Sequence, residues 1–235
     1  MIMKTKKAFF DVDGTIYQGS TSHDSINYLN EMGIIDTTFY SRYWDFNTAY
    51  KEGKLSYQEV VDGAMRTLMS SLNNLSISNI EVELKQYLIN NNKIYPYVNQ
   101  VIDFLQRNNY EIFLISAGID PAIKAIAEYL GINNFYTSTQ KVLNGKYTDQ
   151  DIHILHSSDK EEIINSLLND IKHSESINIG WGDTTGDKSM LSQVDLAFVV
   201  NPHQQEMLDL SKENNWIVTS DASIMFAEIA KLESD

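Results

Sequence analysis

A chain of 235 residues, 43% hydrophobic and 21% charged, can bury a sizeable core as one large domain or one domain with an insertion, and is neither disordered nor fibrous in composition. Against 32 acidic residues stand 18 basic ones, and the resulting net charge of −14, spread along the chain, argues solubility and excludes a nucleic-acid partner. With no cysteine, disulfides, thiolate metal sites and cysteine nucleophiles are excluded; with no signal-peptide core and no run of about 18 apolar residues, a cytoplasmic, non-membrane protein is expected.

Lys6–Asp11 is a short, Phe-rich apolar run ended by Asp13-Gly14, which predicts a buried strand and a turn. From about Ser20 to Asn92 no strand is evident. Apolar positions at helical spacing (Ile26, Leu29 and Ile34, then Val60, Met65, Leu68 and Met69) predict a helical insertion, punctuated by Gly33, Gly53 and the polar stretch Asn73–Asn79. A helix is predicted over Tyr97–Arg107, a strand over Tyr110–Ser116 and a helix over Pro121–Leu130. A helix over Lys160–Leu168, strands at Ser176–Trp181 and Leu196–Val200, and a helix over Gln204–Lys212 complete the pattern. Strands alternating with helices imply right-handed crossovers and parallel pairing: a doubly wound, Rossmann-like α/β sheet.

In such a sheet, ligands bind beyond the carboxyl ends of the strands, and four small polar clusters fall there. Asp11 and Asp13 are two apart on extended chain, so both carboxylates face one side while Val12 faces the other. Their repulsion favours a divalent cation or a shared proton, although a surface Asp-Gly turn explains them about as well. Magnesium prefers one or two carboxylates plus substrate oxygens, and Asp183 can add a third ligand. Ser116, Ala117 and Gly118 offer a hydroxyl and backbone N–H groups to phosphate oxygens; a serine in a tight turn is the plainer explanation. Lys160, near a helix start that Ser158 or Asp159 can cap, is either a solvated surface lysine or the fixed cation that so acidic a protein needs to hold phosphate. Gly182 through Asp187 forms a second acidic turn, with glycines that permit a tight loop between strand and helix.

Taken in order, Asp11-x-Asp13-Gly14-Thr15, Ser116, Lys160 and Gly182-Asp183-x₃-Asp187 resemble the four motifs of the haloacid-dehalogenase-like hydrolase superfamily. The helical insertion is similar to the cap of its phosphoserine-phosphatase-like branch, subclass I-B. Gly53–Tyr57, Gly145–Thr148 and Asn201-Pro202 support the match, which runs over nearly the whole chain. The resemblance implies a core of residues 1–19 and 93–235 with a cap at 20–92. It also implies a small phosphorylated metabolite as substrate and no obligate protein partner. Asp11 would attack phosphorus and become an aspartyl phosphate, and Asp13 would act as acid and then base. Mg²⁺ would be held by Asp11, the main-chain carbonyl of Asp13, and Asp183, with Asp187 orienting those ligands or Lys160. Thr15, Ser116, Lys160 and backbone N–H groups such as that of Ala117 would hold the phosphoryl oxygens. A phosphotransferase using the same aspartyl phosphate, or a phospho-accepting binding protein, shares these motifs.

Three departures from that branch argue against phosphoserine as substrate. Ser20 stands where it has a Glu that reads the amine, Ala64 where it has a cap Arg, and Gly186 where Asn is common. Arg66, two residues from Ala64, is the nearest candidate for a carboxylate. The aromatic run Phe39–Phe46 is expected either to pack the cap or to offer a surface to a substrate cation.

Overall fold

The computed structural model describes residues 5–168 and 176–234. Six parallel strands form the central sheet: β1 (Thr5–Phe10), β2 (Glu111–Ile119), β3 (Asn134–Ser138), β6 (Ser176–Gly182), β7 (Leu196–Val199) and β8 (Ile217–Val218), in the spatial order β3-β2-β1-β6-β7-β8. The two-residue strands β4 (Val142–Leu143) and β5 (Lys146–Tyr147) make a separate hairpin. Side chains of β1 alternate between two cores. Ala8 and Phe10 join helices α5 (Pro96–Arg107), α6 (Asp120–Leu130) and α10 (Ala222–Ser234) on one face; Phe9 joins α7 (Ser157–Leu168), α8 (Lys188–Leu191) and α9 (Gln205–Glu213) on the other. Covering both faces makes the central strands continuous apolar runs, as parallel sheets require. Phe10, Trp181 and Phe198, registered on three adjacent strands, stack at centroid distances of 4.2 and 5.2 Å.

Between β1 and α5 the chain makes four helices: α1 (Thr21–Glu31), α2 (Thr37–Lys51), α3 (Tyr57–Ser71) and α4 (Ile77–Asn90). A reciprocal Ser56–Glu59 capping box starts α3. Entry and exit of the insertion are tied together by Gln18 N–H to Lys93 O (2.7 Å) and Tyr95 N–H to Ile16 O (3.0 Å). On its far side the insertion is tethered to the hairpin, by Asn74 N–H to Tyr147 O (2.9 Å), Tyr147 N–H to Leu75 O and Ile77 N–H to Gly145 O (both 3.0 Å). No described helix is long and apolar enough to cross a membrane.

Several elements depart from the sequence expectations. β2 does not stop at Ser116 but runs to Ile119 through an irregularity in its pairing with β3. The hydroxyls of Thr137 and Ser138 donate to the carbonyls of Gly118 and Ala117, so side chains replace part of the ladder there. β3, β8, the hairpin and α10 carry no sequence expectation. β8 has two residues and β3 is largely half-buried, too short or too mixed for an alternating pattern to show.

Candidate active site

Asp11 leaves the buried end of β1 into a turn in which Val12 O accepts from the N–H groups of Ile16 and Tyr17 at 2.8 and 2.9 Å. Gly14 sits in that turn at φ +85°, and a Cβ there would lie 2.0 Å from Asp183 Oδ2. Only glycine allows the loops after β1 and β6 to interlock so closely. Gly182 serves a similar purpose by sterics alone, because a Cβ on it would meet Asp187 Cβ at 2.6 Å. Neither Gly182 nor Gly186 has positive φ, so close approach, and not turn freedom, accounts for Gly182.

These loops gather side chains from four places in the sequence. Lys160 Nζ, on the first turn of α7, donates to Asp11 Oδ1 at 2.6 Å and to Asp187 Oδ1 at 2.8 Å. Asp187 Oδ2 accepts from the N–H groups of Asp183 and Thr184, both at 3.1 Å. Thr15 Oγ1 donates to Asp183 Oδ1 at 3.4 Å. Asp11, Asp183 and Asp187, all buried, each bring a carboxylate oxygen within 4.8 Å of the others. The Asp13 carboxylate turns instead to the start of α1, where it accepts from Thr21 N–H at 2.9 Å and Ser20 Oγ at 3.2 Å. Ser116 is buried on the neighbouring strand, two residues beyond the Leu114 that pairs with Phe10, and its hydroxyl accepts from Gly118 N–H at 3.1 Å. Lys188, at the start of α8, is exposed. Neither Ser158 nor Asp159 caps α7 in the expected sense. The Asp159 carboxylate accepts the N–H of His156 at 2.7 Å, from within the first turn.

Charge is scarce on the positive side of this cluster. Burial pushes the Asp11 carboxyl up to about 7 in spite of the Lys160 ammonium beside it. Burial, then the negative charges of Asp11 and Asp187, push Asp183 up to about 9. Burial also raises Asp13, against the hydrogen bonds from Thr21 and Ser20. For Lys160, burial disfavours the charge, but Asp11 and Asp187 outweigh it and hold the ammonium above its ordinary range. Among the described residues Asp183 has no cationic partner, and its one side-chain donor is the long Thr15 contact. A buried carboxylate trio with a single lysine fits a divalent cation as its missing charge.

Asp11, Asp13 and Lys160 form the floor of a cavity of about 590 Å³ whose opposite wall comes from the insertion, with Tyr43, Val61 and Met65 among its residues. Among the described residues Lys160 is the one lysine or arginine in the lining. Ala64 faces the cavity, whereas Arg66 is exposed and outside it. Of the run Phe39–Phe46 only Tyr43 reaches the cavity. Trp44 packs on His23 with centroids 5.0 Å apart, and Phe46 occupies the space a Cβ of Gly63 would need. Most of that run therefore packs the insertion. Two other lining residues, Gln58 and His156, belong to none of the sequence motifs. His156 Nε2 lies 3.2 Å from Asp62 Oδ1 and its Nδ1 2.8 Å from Gln58 Nε2, joining α3 to the core at the cavity wall. Its place four residues before Lys160 was the only signal available.

A family model described as haloacid dehalogenase-like hydrolase matches residues 8–192. The phosphoserine phosphatase of Methanocaldococcus jannaschii is 28% identical over 222 residues, covering 91% of this chain and 94% of that protein. Among solved structures, a Bordetella pertussis Tohama I protein of unknown function superposes with a TM-score of 0.78 at 16% identity, covering 93% of this chain and 99% of that one. A phospho-aspartyl intermediate analogue of a phosphoserine phosphatase superposes with a TM-score of 0.62 at 22% identity, over 96% and 99% of the two chains. These superpositions show a shared fold.

Proposed function

Because this chain belongs to the haloacid dehalogenase-like hydrolase family, we propose that it is a Mg²⁺-dependent phosphatase that hydrolyses a small phosphomonoester through an aspartyl phosphate on Asp11. One observation carries the reading: Asp11, at a strand end and on the floor of a covered cavity, pairs with Lys160, the one lysine among the described lining residues, and forms a buried acidic trio with Asp183 and Asp187. The phosphoserine phosphatase relative lends support to phosphomonoester chemistry. Residues 20–92 act as the cap that encloses the substrate, and residues 1–19 with 93–235 form the catalytic core.

Mg²⁺ would be held by the carboxylates of Asp11 and Asp183 and the main-chain carbonyl of Asp13, with Asp187 orienting Asp183 and Lys160 from behind. When bound, it offsets the repulsion between a phosphate dianion and an anionic nucleophile. Asp11 attacks phosphorus, and the bond to the leaving oxygen breaks. Asp13, whose carboxyl burial shifts toward its protonated form, gives a proton to the departing alkoxide. The same carboxylate then takes a proton from the water that attacks phosphorus. The Asp11–phosphoryl bond breaks, and inorganic phosphate and free Asp11 result. Lys160, the Thr15 and Ser116 hydroxyls and N–H groups such as that of Ala117 hold the phosphoryl oxygens.

The organic part of the substrate carries no carboxylate. Lys160, the one lysine or arginine of the lining, already serves Asp11 and Asp187, and Arg66 points away. A small, carboxylate-free phosphorylated metabolite of the cytoplasm is therefore the substrate class. The test is Asp11→Asn assayed with p-nitrophenyl phosphate, with and without magnesium. Phosphate release should vanish, and acid quenching should trap a hydroxylamine-labile phosphoryl group on the wild type alone. Wild-type-like turnover by the variant would end the reading.

A further inference from the structure

The insertion is not held to the core evenly. Helix α1 is fixed at its start, where Thr21 N–H and Ser20 Oγ donate to Asp13 at 2.9 and 3.2 Å. It is fixed again at Asp24, which accepts from the Tyr17 hydroxyl and, at 2.6 Å, from Lys93. Helix α4 packs broadly on α6, is bridged to it by the pairs Lys85–Glu128 and Lys124–Glu81, both at 2.7 Å, and follows the backbone tethers to the hairpin. Helices α2 and α3 pack chiefly on each other and on α1. Among the described residues no backbone hydrogen bond joins these two helices to the core. Every side-chain hydrogen bond or ion pair between them and the core, among the same residues, runs to His156.

His156 is suited to join the two parts and to let them go. Gln58 and Asp62 are four apart and so share one face of α3. Each takes one nitrogen of the ring: Nδ1 lies 2.8 Å from Gln58 Nε2, and Nε2 lies 3.2 Å from Asp62 Oδ1. The neutral ring meets both, accepting from the Gln58 amide and donating to the carboxylate. The backbone of His156 is fixed in turn. Its N–H donates to Asp159 at 2.7 Å and its carbonyl accepts the Lys160 N–H at 3.1 Å, so the ring stands on the helix start that also carries Lys160. The His156 and Asp62 side chains are 28% and 45% exposed, so water replaces the lost partners when they separate. Exchange of that kind costs little, whereas parting α4 from α6 would uncover packed surface. Tyr50 and Tyr57, one on each side of the turn from α2 to α3, line the catalytic cavity and are nonetheless exposed, which puts this end of the helix pair at the cavity mouth.

We propose that His156 is a positioning residue that latches α2 and α3 to the core, and that substrate and product pass by release of this one contact while α1 and α4 stay in place. The moving part is half of the insertion and not the whole of it. The effect on turnover rests on the phosphatase reading above; the latch itself does not.

The chain has no cysteine, so introduced pairs can be joined selectively. Gln58→Cys with His156→Cys puts a thiol on each side of the latch, and Lys85→Cys with Glu128→Cys does the same between α4 and α6. Joining the first pair with a short bis-maleimide should cut p-nitrophenyl phosphate turnover at least about tenfold relative to the same variant capped with N-ethylmaleimide, because opening gates the reaction. Joining the second pair should leave turnover within about twofold of its capped control, since that seam does not open. No loss on joining the first pair, or an equal loss on joining the second, overturns the proposal. Amide hydrogen exchange supplies a readout that needs no activity. Asp62→Ala should quicken exchange in α2 and α3 about tenfold and leave α1 and α4 unchanged. Asp62→Asn keeps an oxygen acceptor for the ring and should exchange as the wild type does. Unchanged exchange in Asp62→Ala, or equal quickening of all four helices, overturns the latch as well. Absence of phosphate release from the wild type would sink the phosphatase reading and leave the exchange result to decide the latch.

Discussion

Chelating metal from the protein should invert the usual expectation that a stable fold gains stability as pH rises from acid to neutral. Asp11 titrates at about 7 in the folded chain, against 3.8 for an ordinary Asp carboxyl. A raised folded-state pKa means that the fold favours the protonated form. The associated stabilisation is complete below 3.8 and disappears as pH climbs through 7. Between those values Asp11 alone removes about 4 kcal/mol. Asp183, pushed to about 9, extends the decline in the same direction through the alkaline range, and the raised Asp13 adds to it. For a chain of this length the Asp11 share alone corresponds to a fall in Tm of roughly 10 °C. Thermal unfolding in EDTA, followed by circular dichroism from pH 4 to 9, should show that fall. Millimolar Mg²⁺ should restore stability increasingly with pH, since metal binding displaces protons from the carboxylates it uses. Titration calorimetry in buffers of different ionisation enthalpy should register those released protons. A chelated Tm that is flat or rising across this range, or equal stabilisation by Mg²⁺ at pH 5 and pH 9, would show that the acidic trio is not short of a cation.

Lys160→Ala should reduce kcat by about 10²–10³, as for loss of a preorganised donor at the phosphoryl group, and a loss smaller than tenfold would point to another cation. Asp13→Asn should cost about 10²–10⁴ in kcat with an alkyl phosphate, and much less with p-nitrophenyl phosphate, whose leaving group needs little protonation. Equal losses with the two substrates would remove the acid role. Gly14→Ala must accommodate both the φ of +85° and a Cβ 2.0 Å from the Asp183 carboxylate. Urea unfolding should show a loss of about 3 kcal/mol, and a neutral result would mean that the interlocked loops have room to part.

What was legible in the sequence, and what was not, divides along physical lines. The strands that carry the site were visible because burial on both faces makes β1, β2 and β6 largely apolar, and because polar clusters follow at their carboxyl ends. The insertion was visible as helical spacing without strands. β3 and β8 were not, since short or half-buried strands carry no period long enough to read. Arg66 shows why sequence proximity misleads on a helix: two positions are about 200° of rotation, so Ala64 faces the cavity and Arg66 faces water.

The net charge of −14 is answered locally and only in part. A chain so acidic that binds phosphate would be expected to gather several cations at its site, yet Lys160 is the one lysine or arginine lining the cavity, and Asp11 and Asp187 already share it. The remaining deficit falls on Asp183, which burial and its neighbours push further from its ordinary range than they push Asp11. In the mechanism proposed above, ion binding, Asp11 ionisation and acceptance of a phosphate dianion would be linked events. Among the described lining residues no second lysine or arginine is present, and that is the observation behind the proposed carboxylate-free substrate.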